Sequence, residues 1–488
     1  MNTEHQITQE SLDPRDWDEL RALGHQMIDD MFAHMQSLRE QPAWQPYPET
    51  AREQIGGALP QDEGDVLATY ENFKENILPY PNGNLHPRFW GWVQGTGTPL
   101  GALSELLAAT MNPNVGGGNH GAAYVEAQVL DWLKEIFDFP RAASGLLVSG
   151  GSMANFVGLA VARNAKAGYD IRHEGLWNRK PFVVYGSAEM HSSLLKSVEL
   201  LGIGNKFFRR IAVNDAYEID LDALREAIVE DIANGLQPIC LIGNAGTVNT
   251  GAFDNLDAMA NLALEFNLWF HVDGAFGAWA YTLPEFRAQL RGMERADSLA
   301  FDLHKWFYVP YEAGATLVRS DAAHLQTFTT TPPYLKQTGR GPHGGQNWFT
   351  DYGVQLSRGF RALKIWTAFK TFGMKKLARL FSQNIAQAQY LAQLVERAPH
   401  LELTAPHPLN IVCFRYLAPN MTEEQLNAFN QELLARIQES GIAVPSSTNL
   451  RGKFSLRVAI TNHRSRREDF DLLIEAVERI AGNLLEES

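Results

Sequence analysis

The sequence predicts an α/β fold built on a mostly parallel sheet. Three observations carry that expectation. Short apolar runs rich in β-branched residues (FVVYGS, QPICLIGNAG, LWFHVDGAF, SLAFDLHKW, AGATLVRS) recur beyond about residue 93. Helix-like stretches such as LDALREAIVEDIANG and LDAMANLALEF separate several of them. The runs also end in small or polar residues. Strands that are apolar on both faces and alternate with helices mark a sheet covered on both sides.

Before that region, Asp13-Pro14 reads as an N-cap followed by proline at the first helical position. Trp17, Leu20, Leu23, Met27, Met31, Met35 and Leu38 then recur at three- and four-residue steps, which predicts an amphipathic helix. Its Met-rich face is expected to serve packing. Residues 41–62 and 78–88 are polar, Pro-rich connections. Beyond residue 370 the alternation loosens. A long helix is expected over 373–397, strands at NIVCFRY and FSLRVAI, and a final amphipathic helix from about 465. The expected organisation is an N-terminal helical segment (1–92), a large α/β domain (93–369) and a small C-terminal α+β domain (370–488). A chain of 488 residues is long enough for two or three such units. No internal repeat or low-complexity tract interrupts it.

Composition excludes several classes. The net charge of −14 argues against a nucleic-acid binder, which needs a basic stripe. The two cysteines, Cys240 and Cys413, lie in apolar runs and are expected to be buried; two are too few for a disulfide framework or a cysteine metal site. No metal is expected. The first residues show neither a basic n-region nor an apolar core, and no apolar run reaches membrane-spanning length, so a cytoplasmic protein is expected.

In open α/β sheets, ligands collect at the carboxyl ends of strands. Here LLV runs into Gly150, Gly151 and Ser152, and a helix begins. Glycines let a backbone approach a ligand closely, and a helix start favours an anion, so this reads as a phosphate cup. A tight turn with a serine cap accounts for the same residues. Asp273 ends the strand of HVDGAF, where it would keep a pyridine nitrogen protonated; a metal ligand or a structural ion pair is the alternative. Lys305 follows the next strand among aromatics, and desolvation is expected to lower its pKa and make it a nucleophile toward an aldehyde. A lysine reaching out to solvent is the bland alternative. His191, after FVVYGS, stands where an imidazole can stack on a cofactor ring or act structurally. A phosphate cup, an acid for a ring nitrogen and an amine for an aldehyde are together what pyridoxal 5′-phosphate requires.

These residues resemble a known family, the group II pyridoxal-phosphate-dependent decarboxylases (aromatic-L-amino-acid, tyrosine, histidine and glutamate enzymes). DLHKW matches the family's Asp/Asn-x-His-Lys-Trp. SGGSMAN, EMHSS, NAGTVNTGAFDNL and HVDGAF match in order and spacing. Met153 departs from the frequent Glu and leaves the backbone cup intact.

The resemblance implies fold type I, with a mostly parallel seven-stranded sheet. It also implies a homodimer, with the N-terminal segment packing on the partner and sites at the interface. Lys305 would carry the cofactor as a Schiff base, and Asp273 would face the ring nitrogen. His191 would stack on the ring. Gly150, Gly151, Ser152 and His304 would hold the phosphate. Thr247, Asn249, Ala275 and Asp302 would line the cofactor.

In TTPPYLKQTGRGPHGG the resemblance makes Tyr334 the proton donor to Cα, on a mobile loop. Tyrosine there favours amine formation over aldehyde synthesis. Trp92, with Phe89 and Trp90, together with His120 and Ser357, would meet the substrate side chain. An aromatic substrate is expected: tyrosine, DOPA, phenylalanine or histidine ahead of tryptophan. Asn112 and Asn114, where relatives place apolar contacts, and Asn119 leave room for a polar or aliphatic side chain. Arg457 would meet a carboxylate or form an interdomain ion pair. A serine hydrolase using Ser152 is remote, because the nucleophile elbow needs glycine where Ala154 stands.

Overall fold

The computed structural model describes residues 10–330, 340–342, 344–345 and 347–487. The chain divides into one unit of residues 1–42 and 46–82 and a second of 43–45 and 83–488.

The first unit is helical. Its longest helix, Trp17–Ser37, is capped by Asp16, whose side chain accepts from the amides of Asp18 and Glu19. The cap therefore falls three residues after Asp13, where a carboxylate reaches two free N–H groups at once. Among the described residues this helix has no buried side chain, so its Met-rich face is not core here.

The second unit holds two sheets. Its strands in chain order are β1 (Phe89–Trp90), β2 (Ser144–Val148), β3 (Phe182–Ser187), β4 (Phe208–Ile211), β5 (Gln237–Asn244), β6 (Trp269–Asp273), β7 (Ser298–Asp302), β8 (Gly314–Val318), β9 (Leu401–Leu403), β10 (Ile411–Tyr416), β11 (Val444–Leu450) and β12 (Lys453–Ala459). Seven of them form a sheet of order β2-β8-β7-β6-β5-β3-β4. Every pairing is parallel except those of β8, which runs against both β2 and β7. β2, β3, β6, β7 and β8 are buried at every residue, as helices on both faces require. This is the mostly parallel seven-stranded α/β sheet expected.

The other five strands, β1-β11-β12-β10-β9, make the second sheet. Phe89–Trp90 joins it by parallel pairing to Val444–Pro445. The helix Ala362–Arg397 links the two sheets, and Gly373, at φ 66 and ψ 156, breaks it into two pieces. The predicted helix over 373–397 is its second piece. The last helix is Arg467–Glu487. Among the described residues, no helix is long and apolar enough to cross a membrane.

One core histidine gives a measurable consequence. His324 is fully buried, pairing with the Ser144 hydroxyl (2.8 Å) and the Tyr352 carbonyl (2.8 Å). Burial pushes its pKa down to about 3. The unfolded chain takes up that proton near pH 6.5, so the stability His324 contributes is present above 6.5 and lost as pH falls toward 3. Between pH 7 and 5 the loss is about 2 kcal/mol. His324→Asn is expected to remove that part of the acid-side slope, read by denaturant unfolding of both proteins at the two pH values.

Candidate active site

The site lies at the carboxyl ends of β2, β6 and β7. From β2 the chain passes through Gly150 into the helix Gly151–Lys166, whose first turn has no side-chain cap. Its leading N–H groups and dipole therefore suit an anion. A Cβ on Gly150 would stand 2.9 Å from the His304 ring, and one on Gly151 would stand 2.8 Å from Asp302 Oδ2. Only glycine leaves room between the helix start and the end of β7. Ser152, next in the turn, is exposed.

His304 completes the cup. Its Nδ1 accepts the Ala313 amide at 3.0 Å, and burial pushes its pKa down to about 4. A neutral ring that accepts at Nδ1 carries its proton on Nε2, which leaves a donor beside Gly150 for a phosphate oxygen. The Tyr311 ring packs against this one at a tilt of 33°, with centroids 4.3 Å apart.

Lys305 follows β7, and its Nζ lies 2.8 Å from Asp302 Oδ2. Burial lowers its pKa, but Asp302 and then Asp273 outweigh that and raise it overall. The expected depression is thus reversed in the cofactor-free protein. The apolar neighbours are legible in the sequence; the direction of the Asp302 side chain, three residues back, is not. Asp302 Oδ1 is buried without a hydrogen-bond partner among the described residues.

Asp273 ends β6, buried. Oδ2 accepts from Asn155 Nδ2 (3.0 Å) and Oδ1 from the Ala275 amide (3.0 Å). Burial raises its pKa, and the Lys305 ammonium pulls it back. His191 caps the helix Ser192–Leu200, its Nδ1 taking the Ser193 amide at 3.2 Å. Loss of solvent lowers its pKa, against the pull of Asp273. Electrostatics thus tie His191, Asp273, Asp302 and Lys305 into one cluster. A phosphate cup, a buried acid and an amine around one opening fit pyridoxal phosphate.

The other candidates stand differently. Ala275 flanks Gly151, 3.4 Å from a Cβ placed there. Thr247 is buried, and its Oγ1 serves its own turn through Thr250 and the Ala252 amide. The Asn249 amide is committed to Glu189 and Thr448. Among the described residues Arg457 forms no ion pair; it donates to the carbonyls of Trp92, Val248 and Asn249. Trp90 is core, stacked on Phe470 with its indole on Ser465, and Phe89 packs with Ala43 and Val444. Trp92 is exposed at a φ of 53, His120 precedes the helix Gly121–Ile136, and Ser357 is exposed. Among the described residues, these three make no hydrogen bond with the cup. Asn112 ends a helix in the left-handed conformation, Asn114 Oδ1 accepts the Gly116 and Arg358 amides, and Asn119 accepts from Tyr124. Tyr334 lies outside the described residues.

Sequence reasoning missed Tyr311, Asn155, His271 and Gly95. A Cβ on Gly95 would overlap the His304 carbonyl at 1.7 Å, so this glycine fixes the backbone that carries Lys305. The signal for His271 was available: in HVD it is two residues from Asp273, hence on the same face of β6.

Comparison with known proteins agrees with this geometry. Residues 48–417 match the family model described as the pyridoxal-dependent decarboxylase conserved domain. The chain is 33% identical to the aromatic-L-amino-acid decarboxylase of Bacillus atrophaeus, over 95% of this chain and 96% of that one. It is 30% identical to tyrosine decarboxylase 3 of Petroselinum crispum, over 94% and 90%. The crystal structure of Oryza sativa TDC with PLP and tryptamine superposes with a TM-score of 0.90 at 26% identity, over 97% of this chain and all of that one.

Proposed function

Because this chain belongs to the pyridoxal-dependent decarboxylase family, it is a pyridoxal phosphate enzyme that decarboxylates an amino acid, and from that premise we propose that its substrate is an aromatic L-amino acid, released as the amine and CO2. One observation carries the assignment of roles: Lys305, Asp273, Gly150, Gly151 and His304 converge from three strand ends on one opening.

When bound, pyridoxal phosphate supplies an electron sink for the pair left at Cα as CO2 departs. Lys305 is the amine that would hold the cofactor's aldehyde carbon and would give it up to the substrate amine, regaining its own amine in the exchange. The Asp302 carboxylate at 2.8 Å is the nearest base for the proton the ammonium must shed. Asp273 would hold the ring nitrogen protonated. The helix start at Gly151 and the Nε2–H of His304 would hold the phosphate. His191 would face the ring and narrow the site to water.

Tyr334 delivers the proton to Cα. The reading rests on its place in the TTPPYLKQTGRG segment. Tyr334→Phe is expected to cut amine yield at least about 100-fold, the scale of losing a general acid. Aldehyde, ammonia and peroxide should appear in its place as O2 is consumed. Amine yield equal to wild type removes Tyr334 from the mechanism.

An aromatic side chain is supported by the names of the two relatives above and by tryptamine in the superposed structure. A homodimer belongs to the same reading. Leu106, Leu107 and Met111, all on the helix Pro99–Met111, are 51%, 58% and 59% exposed, an apolar face that a second copy would cover. So does a cytoplasmic location, supported by two buried free thiols, Cys240 and Cys413. A panel of amino acids scored by CO2 release tests the substrate. Tyrosine, DOPA and phenylalanine should lead; preference for glutamate or an aliphatic amino acid overturns the aromatic assignment.

A further inference from the structure

Behind Asp273, four side chains form a continuous hydrogen-bonded line. The Trp269 indole N–H meets Ser298 Oγ at 2.8 Å. Ser298 Oγ meets His271 Nδ1 at 2.7 Å. His271 Nε2 meets Asn155 Oδ1 at 2.9 Å. Asn155 Nδ2 meets Asp273 Oδ2 at 3.0 Å. All five residues are buried, Asn155, His271 and Ser298 almost completely.

Donor and acceptor rules give this line one direction. An indole N–H only donates, so Ser298 Oγ accepts from it. The Ser298 hydroxyl proton then has His271 Nδ1 as its acceptor. A neutral ring that accepts at Nδ1 carries its proton on Nε2, which donates to Asn155 Oδ1. The amide end of Asn155 is thereby turned to Asp273, where an ionised carboxylate accepts it. Reversing the line leaves the Ser298 proton without an acceptor, a costly state for a buried hydroxyl. Burial, which holds His271 far below its ordinary pKa, keeps the ring neutral.

Two further features show that the line is built. A Cβ on Gly158 would stand 2.7 Å from the His271 ring, so glycine one turn beyond Asn155 is what lets helix and strand meet there. The Asn155 amide also approaches Ser193 Oγ at 3.5 Å, and that hydroxyl pairs with His191 Nδ1 at 2.8 Å. Asn155 thus stands between the acid that faces the ring nitrogen and the imidazole that faces the ring.

We propose that Asn155, backed by His271, Ser298 and Trp269, is a positioning residue that holds Asp273 as an oriented carboxylate for the cofactor's ring nitrogen. Trp269, Ser298 and His271 act through Asn155 on Asp273, and so on the interaction that the ring nitrogen would make; Asn155 also reaches His191 through the longer contact to Ser193.

The test compares the affinity of the cofactor-free full chain for pyridoxal phosphate with that for 1-deazapyridoxal phosphate, which has C–H in place of the ring nitrogen. Wild type should prefer the natural ring. Asn155→Leu, similar in volume, should lower that preference about tenfold, the scale of one hydrogen bond to a charged group, with affinity for the deaza ring nearly unchanged. Ser298→Ala, two links further back, should lower it a few-fold and serves if Asn155→Leu does not fold. Equal weakening toward both rings means that Asn155 merely supports the fold. An unchanged preference in a folded variant likewise overturns the proposal.

Discussion

Lys305→Ala is expected to abolish turnover, by about 10,000-fold or more, and to leave the protein without a covalently held cofactor. Removing the amine that would hold the aldehyde and exchange with the substrate costs orders of magnitude, because groups that act as a unit lose most of their effect when one is missing. Borohydride reduction of the wild type should fix a pyridoxyl group on residue 305, and the variant should carry none. A second consequence follows from the ion pair. Asp302 is buried, its Oδ2 held by the lysine at 2.8 Å and its Oδ1 without a hydrogen-bond partner among the described residues. Alanine at 305 leaves that charge uncompensated, and the cofactor-free variant should lose about 3 kcal/mol, the scale for breaking a buried pair. Asp302→Asn added to Lys305→Ala should restore most of the stability and none of the turnover. A pyridoxyl adduct on some other lysine, with activity kept, sinks the assignment.

The parts legible in the sequence were those written along one strand or one turn. Apolar runs closing on Asp273 and Lys305 and the glycines before the helix at 151 all obey local rules, and they gave the sheet and the cup. What depended on a side chain crossing between elements was not legible. The antiparallel sense of β8 follows from the chain returning directly beside β7 through residues 303–313, with Asp302 opposite Gly314, not from its composition. The expected helix begins at the Gly373 break itself, and it is the piece before it, from Ala362, that the pattern did not show. The raised pKa of Lys305 was missed because the sequence shows apolar neighbours but not the direction of the Asp302 side chain. Asn155 appeared in SGGSMAN as part of a motif, yet its partner His271 is 116 residues away. The substrate pocket was the least legible: Trp90 looked like a lining residue and is core.

Asp273→Asn separates holding the cofactor from using it. The substitution changes one oxygen to an amide and removes the charge. The pyridine nitrogen then lacks the anion that keeps it protonated, and the ring loses much of its capacity to accept electrons. Turnover should fall about 1,000-fold, the scale of losing one preorganised electrostatic partner in a water-poor site. Lys305, Gly150, Gly151 and His304 are untouched, so the borohydride adduct on Lys305 should persist. The loss should appear in kcat rather than in KM, because the missing interaction matters as charge moves into the ring. The cofactor-free protein should lose stability as well: Oδ1 and Oδ2 accept from the Ala275 amide and from Asn155 Nδ2, and the NH2 of an asparagine would set a second donor against one of them in a buried site. Loss of adduct together with activity would make Asp273 a structural residue of the cup. Turnover within tenfold of wild type would place the ring nitrogen against some other group.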